Sequence, residues 1–186
     1  MKKLLITFFT VLFCLTSSVG WSLELKDLVI LDGLYYKKFT EVPFTGKVKG
    51  QIQGSFRKGK KDGSWIEYRS NGRIDFKGEY KKGKKDGSWV RYHKNGKLSS
   101  KNNWKNGNRD GSFVQYYDNQ QLWQKIEYNN GIEEGSWINY FKDGKLNYKG
   151  KYKSGKKEGS WIHLNEDGIL DQKVSGTYED GVKISD

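Results

Sequence analysis

Five acidic residues each stand one place before a Gly-Ser pair, and Asp62, Asp86, Asp110, Glu134 and Glu158 follow one another at intervals of 24 residues. Two carboxylates can perform acid and base chemistry on a glycosidic bond when they face each other about 5 to 9 Å apart in one cleft. A residue repeated in every unit does not single out such a pair, because a catalytic centre is needed once. These acids are read instead as turn residues, a place Asp favours because its side chain bonds the nearby backbone. His93 and His163 are the only histidines and fall in different units, while the single cysteine, Cys14, lies near the N-terminus. No ordinary zinc set can be assembled from them. No glycine-rich phosphate loop precedes a helix, and no Ser-His-Asp set stands out. The expectation is a chain that is not an enzyme and has no metal and no cofactor.

Two other sets suit binding rather than reaction. Basic residues gather at equivalent turns: Lys81, Lys82, Lys84 and Lys85, then Lys105 and Arg109, then Lys153, Lys156 and Lys157. With two strands per unit at about 4.8 Å each, the clusters stand roughly 10 Å apart along one rim. Such a stripe attracts anionic lipid headgroups or acidic envelope polymers; it also keeps turns soluble and discourages edge-to-edge pairing. The aromatic set Trp65, Trp89, Phe113, Trp137 and Trp161 recurs once per unit. It forms either a structural stack or a platform for a carbohydrate or peptide. Phe113, Gln120, Trp123, Ile132 and Glu133 break the repeat, which makes them the better functional suspects.

The elements that must position these residues are hairpins. Asn71-Gly72, Asn95-Gly96, Asp143-Gly144 and Asp167-Gly168 mark one turn of each unit, and such pairs favour the type I′ turn, which needs positive φ at both central residues. A second glycine, at Gly83, Gly107, Gly131, Gly155 and Gly181, closes each unit. Each unit is therefore two strands and two turns. Along the strands, Ile66 and Tyr68 alternate with Trp65, Glu67 and Arg69, and Phe76, Gly78 and Tyr80 alternate with Lys77 and Glu79. The ladders through Ile66, Tyr68 and Tyr80 are expected to form one apolar face, with the Trp65 ladder on the opposite, more charged and partly wet face. Two extra residues precede Gly176, an even number that keeps side chains on their faces. The fold class is all-β, an elongated single-layer antiparallel meander of stacked β-hairpins.

Alanine is absent from the 186 residues, proline occurs once, and the net charge is +12. This balance favours turns and strands over helices. Lys2 and Lys3, an apolar run from Leu4 to Leu15, and the small residues Ser17, Ser18 and Gly20 have the layout of a secretory signal peptide cleaved near Gly20. A lipoprotein reading through Cys14 meets the bulky Phe13 where a small residue is wanted. The chain divides into a signal peptide (1–20), an N-terminal cap segment (21–45), a truncated repeat (46–61), five repeats (62–183) and a tail (184–186). No stretch after Gly20 is apolar enough to span a membrane, and export to the periplasm or medium argues against nucleic acid as a partner.

The run Gly78-Glu79-Tyr80-Lys81-Lys82-Gly83-Lys84-Lys85-Asp86-Gly87-Ser88-Trp89, followed by Tyr92 and Asn95-Gly96-Lys97-Leu98, resembles the MORN repeat. It is closer to the bacterial variant found in proteins named as YwqK-family antitoxins. The resemblance extends from about Gly46 to Val182 and implies an elongated β-sheet scaffold without catalytic activity. Two functions follow as expectations. One is an exported binding scaffold of the cell envelope that engages a protein or anionic polymer; the other is an antitoxin-like protein that neutralises a toxin by direct binding.

Overall fold

The computed structural model describes residues 23–186; the expected signal peptide lies outside them. A 3₁₀ turn, Leu25–Asp27, leads into a small hairpin, β1 (Leu28–Leu31) and β2 (Leu34–Lys37). Thirteen further strands form one sheet in strict sequence order. They begin with β3 (Gly46–Val48), β4 (Ile52–Arg57), β5 (Lys60–Tyr68), β6 (Ile74–Lys81), β7 (Lys84–Tyr92) and β8 (Leu98–Lys105). They continue through β9 (Asn108–Tyr116), β10 (Leu122–Asn129), β11 (Ile132–Tyr140), β12 (Leu146–Lys153) and β13 (Lys156–His163), and end with β14 (Gly176–Glu179) and β15 (Val182–Ser185). The antiparallel meander of hairpins expected from the 24-residue period is the observed architecture.

Two kinds of turn alternate, and their chemistry is exchanged relative to expectation. The two-residue type I′ turn sits at Lys82-Gly83, with φ of +51° and +86°, and at its equivalents such as Asn106-Gly107 and Ser154-Gly155. At Asn71-Gly72 only the glycine has positive φ. There the Gly72 N–H donates to Arg69 O and the Arg69 N–H to Arg73 O, which makes a three-residue loop of the kind that ends in a left-handed glycine.

The recurring acids are turn residues, and they work at a distance. Asp62 Oδ2 accepts from the Lys82 N–H at 3.3 Å, Asp86 from Asn106 at 3.2 Å, and Asp110 from Asn130 at 3.3 Å. Glu134 accepts from Ser154 at 2.8 Å and Glu158 from Asp180 at 3.2 Å. Each carboxylate thus holds a backbone N–H in the type I′ turn some twenty residues on, where a residue other than glycine sits at positive φ. A left-handed L-residue costs about 1 to 2 kcal/mol, and the charge-assisted bond offsets part of it.

The expected division of faces is corrected by the register. Trp65 pairs with Gly78, Ile66 with Lys77 and Glu67 with Phe76, and paired residues share a face. Trp65, Phe76 and Tyr80 therefore lie together, while Ile66, Val90, Val114 and Ile138 stand with the Lys77 ladder on the back. The cause is one bulged residue: Tyr68 pairs with Ile74 but Glu67 with Phe76, which leaves Asp75 unopposed. A one-residue shift exchanges the two faces of everything beyond it. At the other end the even insertion does keep its faces, since Trp161 pairs with Gly176 and Gly159 with Tyr178.

The N-terminal hairpin lies over the first strands. Leu28, Val48, Phe56, Trp65 and Trp89 form the buried cluster, with Tyr35 and Phe44 packed against it. Tyr35 and Phe44 lie 4.8 and 5.6 Å from the Phe56 ring.

Candidate functional site

The ring-bearing face is built from three repeated positions. The first is the ladder expected to be half-wet. Trp65 and Trp161 are each only 2% exposed, and Trp89 and Phe113 are also buried. The three tryptophans are core because a glycine lies beneath each: a Cβ at Gly54 would stand 2.0 Å from the Trp65 ring, one at Gly78 2.3 Å from Trp89, and one at Gly150 2.2 Å from Trp161, whereas the smaller Phe113 pairs with Asn102. Each ring lies flat on backbone that a side chain would have pushed away. The Trp89 Nε1–H donates to Glu79 O at 3.0 Å and the Trp161 Nε1–H to Lys151 O at 3.1 Å.

The second position supplies flanking rings. Tyr80 stands 5.5 Å from Trp65 and 5.0 Å from Trp89, edge to face with both. Tyr152 does the same 5.0 Å from Trp161. Edge-to-face pairs of this kind contribute about 0.5 to 1.5 kcal/mol each.

The third position is a cation. Lys61 Nζ lies 4.3 Å from the Trp65 centroid and 5.0 Å from Tyr80. Lys85 lies 4.3 Å from Trp89 and 4.7 Å from Trp104. Arg109 covers Phe113 at 4.8 Å and Tyr128 at 5.2 Å, and Lys157 covers Trp161 at 4.6 Å and Tyr178 at 4.7 Å. Lys85, Arg109 and Lys157 therefore do not stand on the turn rim with Lys81, Lys82, Lys84, Lys105, Lys153 and Lys156, all six of which are exposed. They sit one residue further along the strand, on the ring face, at the pairings Tyr80 with Lys85, Trp104 with Arg109 and Tyr152 with Lys157. Burial is the main influence that lowers the Lys61 and Lys85 pKa values; the charges of Arg109 and Arg91 lower Lys85 further, and Lys85 adds to the effect on Lys61.

The fourth unit departs from this plan. Ile126 occupies the place of the glycine and Glu133 that of the cation. Trp137, unable to lie flat, stacks on Tyr148 at 5.9 Å with the rings 3° from parallel. It is only half-buried, and its indole nitrogen has no partner. Trp123 is not part of the ladder: it is the bulged residue between Leu122 and Gln124, 37% exposed, with its ring 5.5 Å from Tyr117. Gln120 fills the glycine position of the third loop at φ +77° and donates through Nε2 to Leu98 O at 3.0 Å. Ile132 is exposed beside its turn. His93 and His163 stay apart. The first bonds Tyr116 O through Nε2 at 2.9 Å, and the second stacks 4.0 Å from Tyr148.

Around the second full unit, reaching from the end of the first to the start of the third, the face opens into a groove of about 640 Å³. Its walls include Phe76, Trp89, Trp104 and Phe113, the cations Lys85, Arg91 and Arg109, and the polar side chains Ser100, Asn102 and Gln115, with no acidic residue among them. Asp75 holds two arginines near it, Arg69 through a terminal nitrogen and Arg91 through Nε at 3.2 Å. Lys61, Arg91, Asn102, Trp104 and Gln115 were not singled out in the sequence. The signal was present for Lys61, which precedes Lys85 by one period. The polar row is visible only once register aligns Arg91 with Ser100 and Ser100 with Gln115.

Residues 85–106, 109–130 and 133–154 match the profile described as MORN repeat variant. Three consecutive units of the chain are thus MORN-type repeats. The matched spans run from the ring-covering cation position of one unit, through its buried ring and three-residue loop, to the type I′ turn. MORN repeats are generally non-enzymatic and serve as repeat-based binding scaffolds. No curated protein matches the chain. Among solved structures, one described as "Crystal structure of GtfA/B complex bound to UDP and GlcNAc" is similar at 16% identity and a TM-score of 0.20, over 83% of this chain and 26% of that one. The chain thus spans about a quarter of that structure's length. Among the described residues, no helix is long and apolar enough to cross a membrane.

Proposed function

We propose that this MORN-repeat protein is an exported, non-enzymatic scaffold of the cell envelope that holds a protein or anionic polymer on its ring-bearing face. The observation that carries this reading is the row of cations Lys61, Lys85, Arg109 and Lys157. Each is held over aromatic rings, and the position recurs in every unit but the fourth, where Glu133 stands. A row of fixed positive charge on a low-dielectric floor attracts an extended anionic partner more strongly than the same charge on mobile side chains. The N-terminal apolar run supports export, and the exposed rim lysines supply long-range attraction.

The test uses the chain without residues 1–20, immobilised and exposed to envelope extract. Charge reversal at the exposed Arg91 and Lys94 should abolish capture of a partner held by the unaltered chain, with circular dichroism unchanged. Capture that survives the reversal counts against the ring-bearing face. Export is tested separately by mass spectrometry of the protein produced with its full sequence, where a mature N-terminus near Trp21 is expected.

A further inference from the structure

We infer that the groove centred on the second full unit binds a short segment of an acidic polysaccharide, with a sugar carboxylate seated among Lys85, Arg91 and Arg109. The inference rests on the reading of the ring-bearing face as a binding surface and names the ligand for one part of it.

Three observations carry it. The first is charge. Lys85 and Arg109 are pinned over rings that they share at Trp104, and no carboxylate lines the groove. Arg91 gives its Nε to Asp75. Burial is the main influence that loosens the hold of Lys85 on its proton, and the positive charges of Arg109 and Arg91 add to it; an anion seated among the three would relieve that second effect. The second is a matched pair of orphaned polar atoms. Trp104 Nε1, a donor, and Asn102 Oδ1, an acceptor, both line this groove's walls, are shut off from solvent and have no partner. A sugar hydroxyl both donates and accepts, so one sort of group satisfies both atoms once the Asn102 and Trp104 side chains turn toward the groove. The third is size: about 640 Å³ is far more than a single carboxylate or phosphate ion fills, and it suits a ligand of a few sugar rings.

The same geometry disfavours other anions. An acidic peptide added as a strand needs an unpaired edge, whereas β7, β8 and β9 are paired on both sides. Nucleic-acid bases need open ring faces to stack on, and here Lys85 and Arg109 occupy them. A membrane surface would meet the exposed turn lysines before it met half-buried groups on the sheet.

Titration calorimetry of the chain without residues 1–20 tests this with three probes: trigalacturonate, its methyl ester and phosphatidylglycerol vesicles. The acid should bind at least about tenfold more tightly than the ester. Arg91→Gln should weaken acid binding by a similar factor, with an unchanged circular dichroism spectrum. Lys149→Gln, at an exposed position on the back of the sheet opposite Ile138, should leave it unchanged. Equal binding of acid and ester, an equal loss in the Lys149 variant, or binding of vesicles but not of trigalacturonate would each overturn the assignment. If trigalacturonate fails while envelope capture still depends on Arg91 and Lys94, the saccharide assignment falls and the scaffold reading stands. If capture is also indifferent to charge, the scaffold reading falls with it.

Discussion

A tryptophan is buried in this single-layer sheet only because the residue beneath it has no side chain. Gly78→Ala would place a methyl group inside the Trp89 ring position and should cost about 2 to 3 kcal/mol by overpacking, read by urea denaturation. Gly72→Ala, with open space around it but φ of +79°, should cost only about 1 kcal/mol. Gln120 poses the reverse case, a side chain where the other loops carry glycine. Gln120→Gly should raise stability by about 1 kcal/mol, less whatever the bond to Leu98 O contributes, and an unchanged midpoint would contradict the strain. These positions differ in how legible they were. That Gln120 breaks a glycine pattern could be read directly, but that Gly78 is a seat for Trp89 could not. The ring comes from the next unit, and which residues face each other depends on register.

At the scale of strands and turns, the acid before each Gly-Ser acts as a clasp on the next type I′ turn. Asp86→Ala should therefore destabilise by about 1 kcal/mol, and Asp86→Asn by less, measured by thermal unfolding. The loss should come with faster amide exchange at Asn106, whose N–H is the one released. Element type and order followed from periodicity and glycine placement. The faces did not, because Asp75 and its equivalents bulge out of the ladder and invert the alternation. A bulge of this kind carries no compositional mark: the four equivalent positions hold Asp75, Ser99, Trp123 and Asn147. The binding candidates suffered accordingly. Lys85, Arg109 and Lys157 belong on the face with the rings, and the polar row through Ser100 and Gln115 escaped notice.

Over the whole molecule, each strand of the sheet pairs only with its neighbours in sequence, so stability should be distributed along the array rather than held in one core. Hydrogen exchange is expected to be fastest in β14 and β15, where Val182 and Ile184 are 65% and 58% exposed, and slowest in β4 to β7 around the Phe56, Trp65 and Trp89 cluster. Uniform protection along the sheet would refute this. The alkaline response follows from the ring-covering lysines. Lys61 and Lys85 have folded pKa values below 10.5, so below those values the charge opposes folding. As pH rises from there towards 10.5, the folded chain sheds protons before the unfolded one does, and stability increases. Tyr80 and Tyr152 act oppositely: burial raises their pKa values above 10.0, so above that pH the unfolded phenols ionise first and stability falls. Denaturant titrations from about pH 8 to 11 should show a rise followed by a fall, with the rise removed by Lys61→Gln together with Lys85→Gln and the fall retained.

The glycine seats also give the ladder a direction. Trp89 rests on Gly78, and Trp161 on Gly150, of the unit before it, so a unit with this glycine offers a seat to its successor. The last such seat, at Gly176, is already taken. A Cβ there would meet Ser185 O at 2.2 Å and Lys183 Cε at 2.5 Å, which means that the returning chain end fills the space an incoming tryptophan would need. While β15 stays paired with β14, the leading unit of a second molecule cannot take the place beside Gly176.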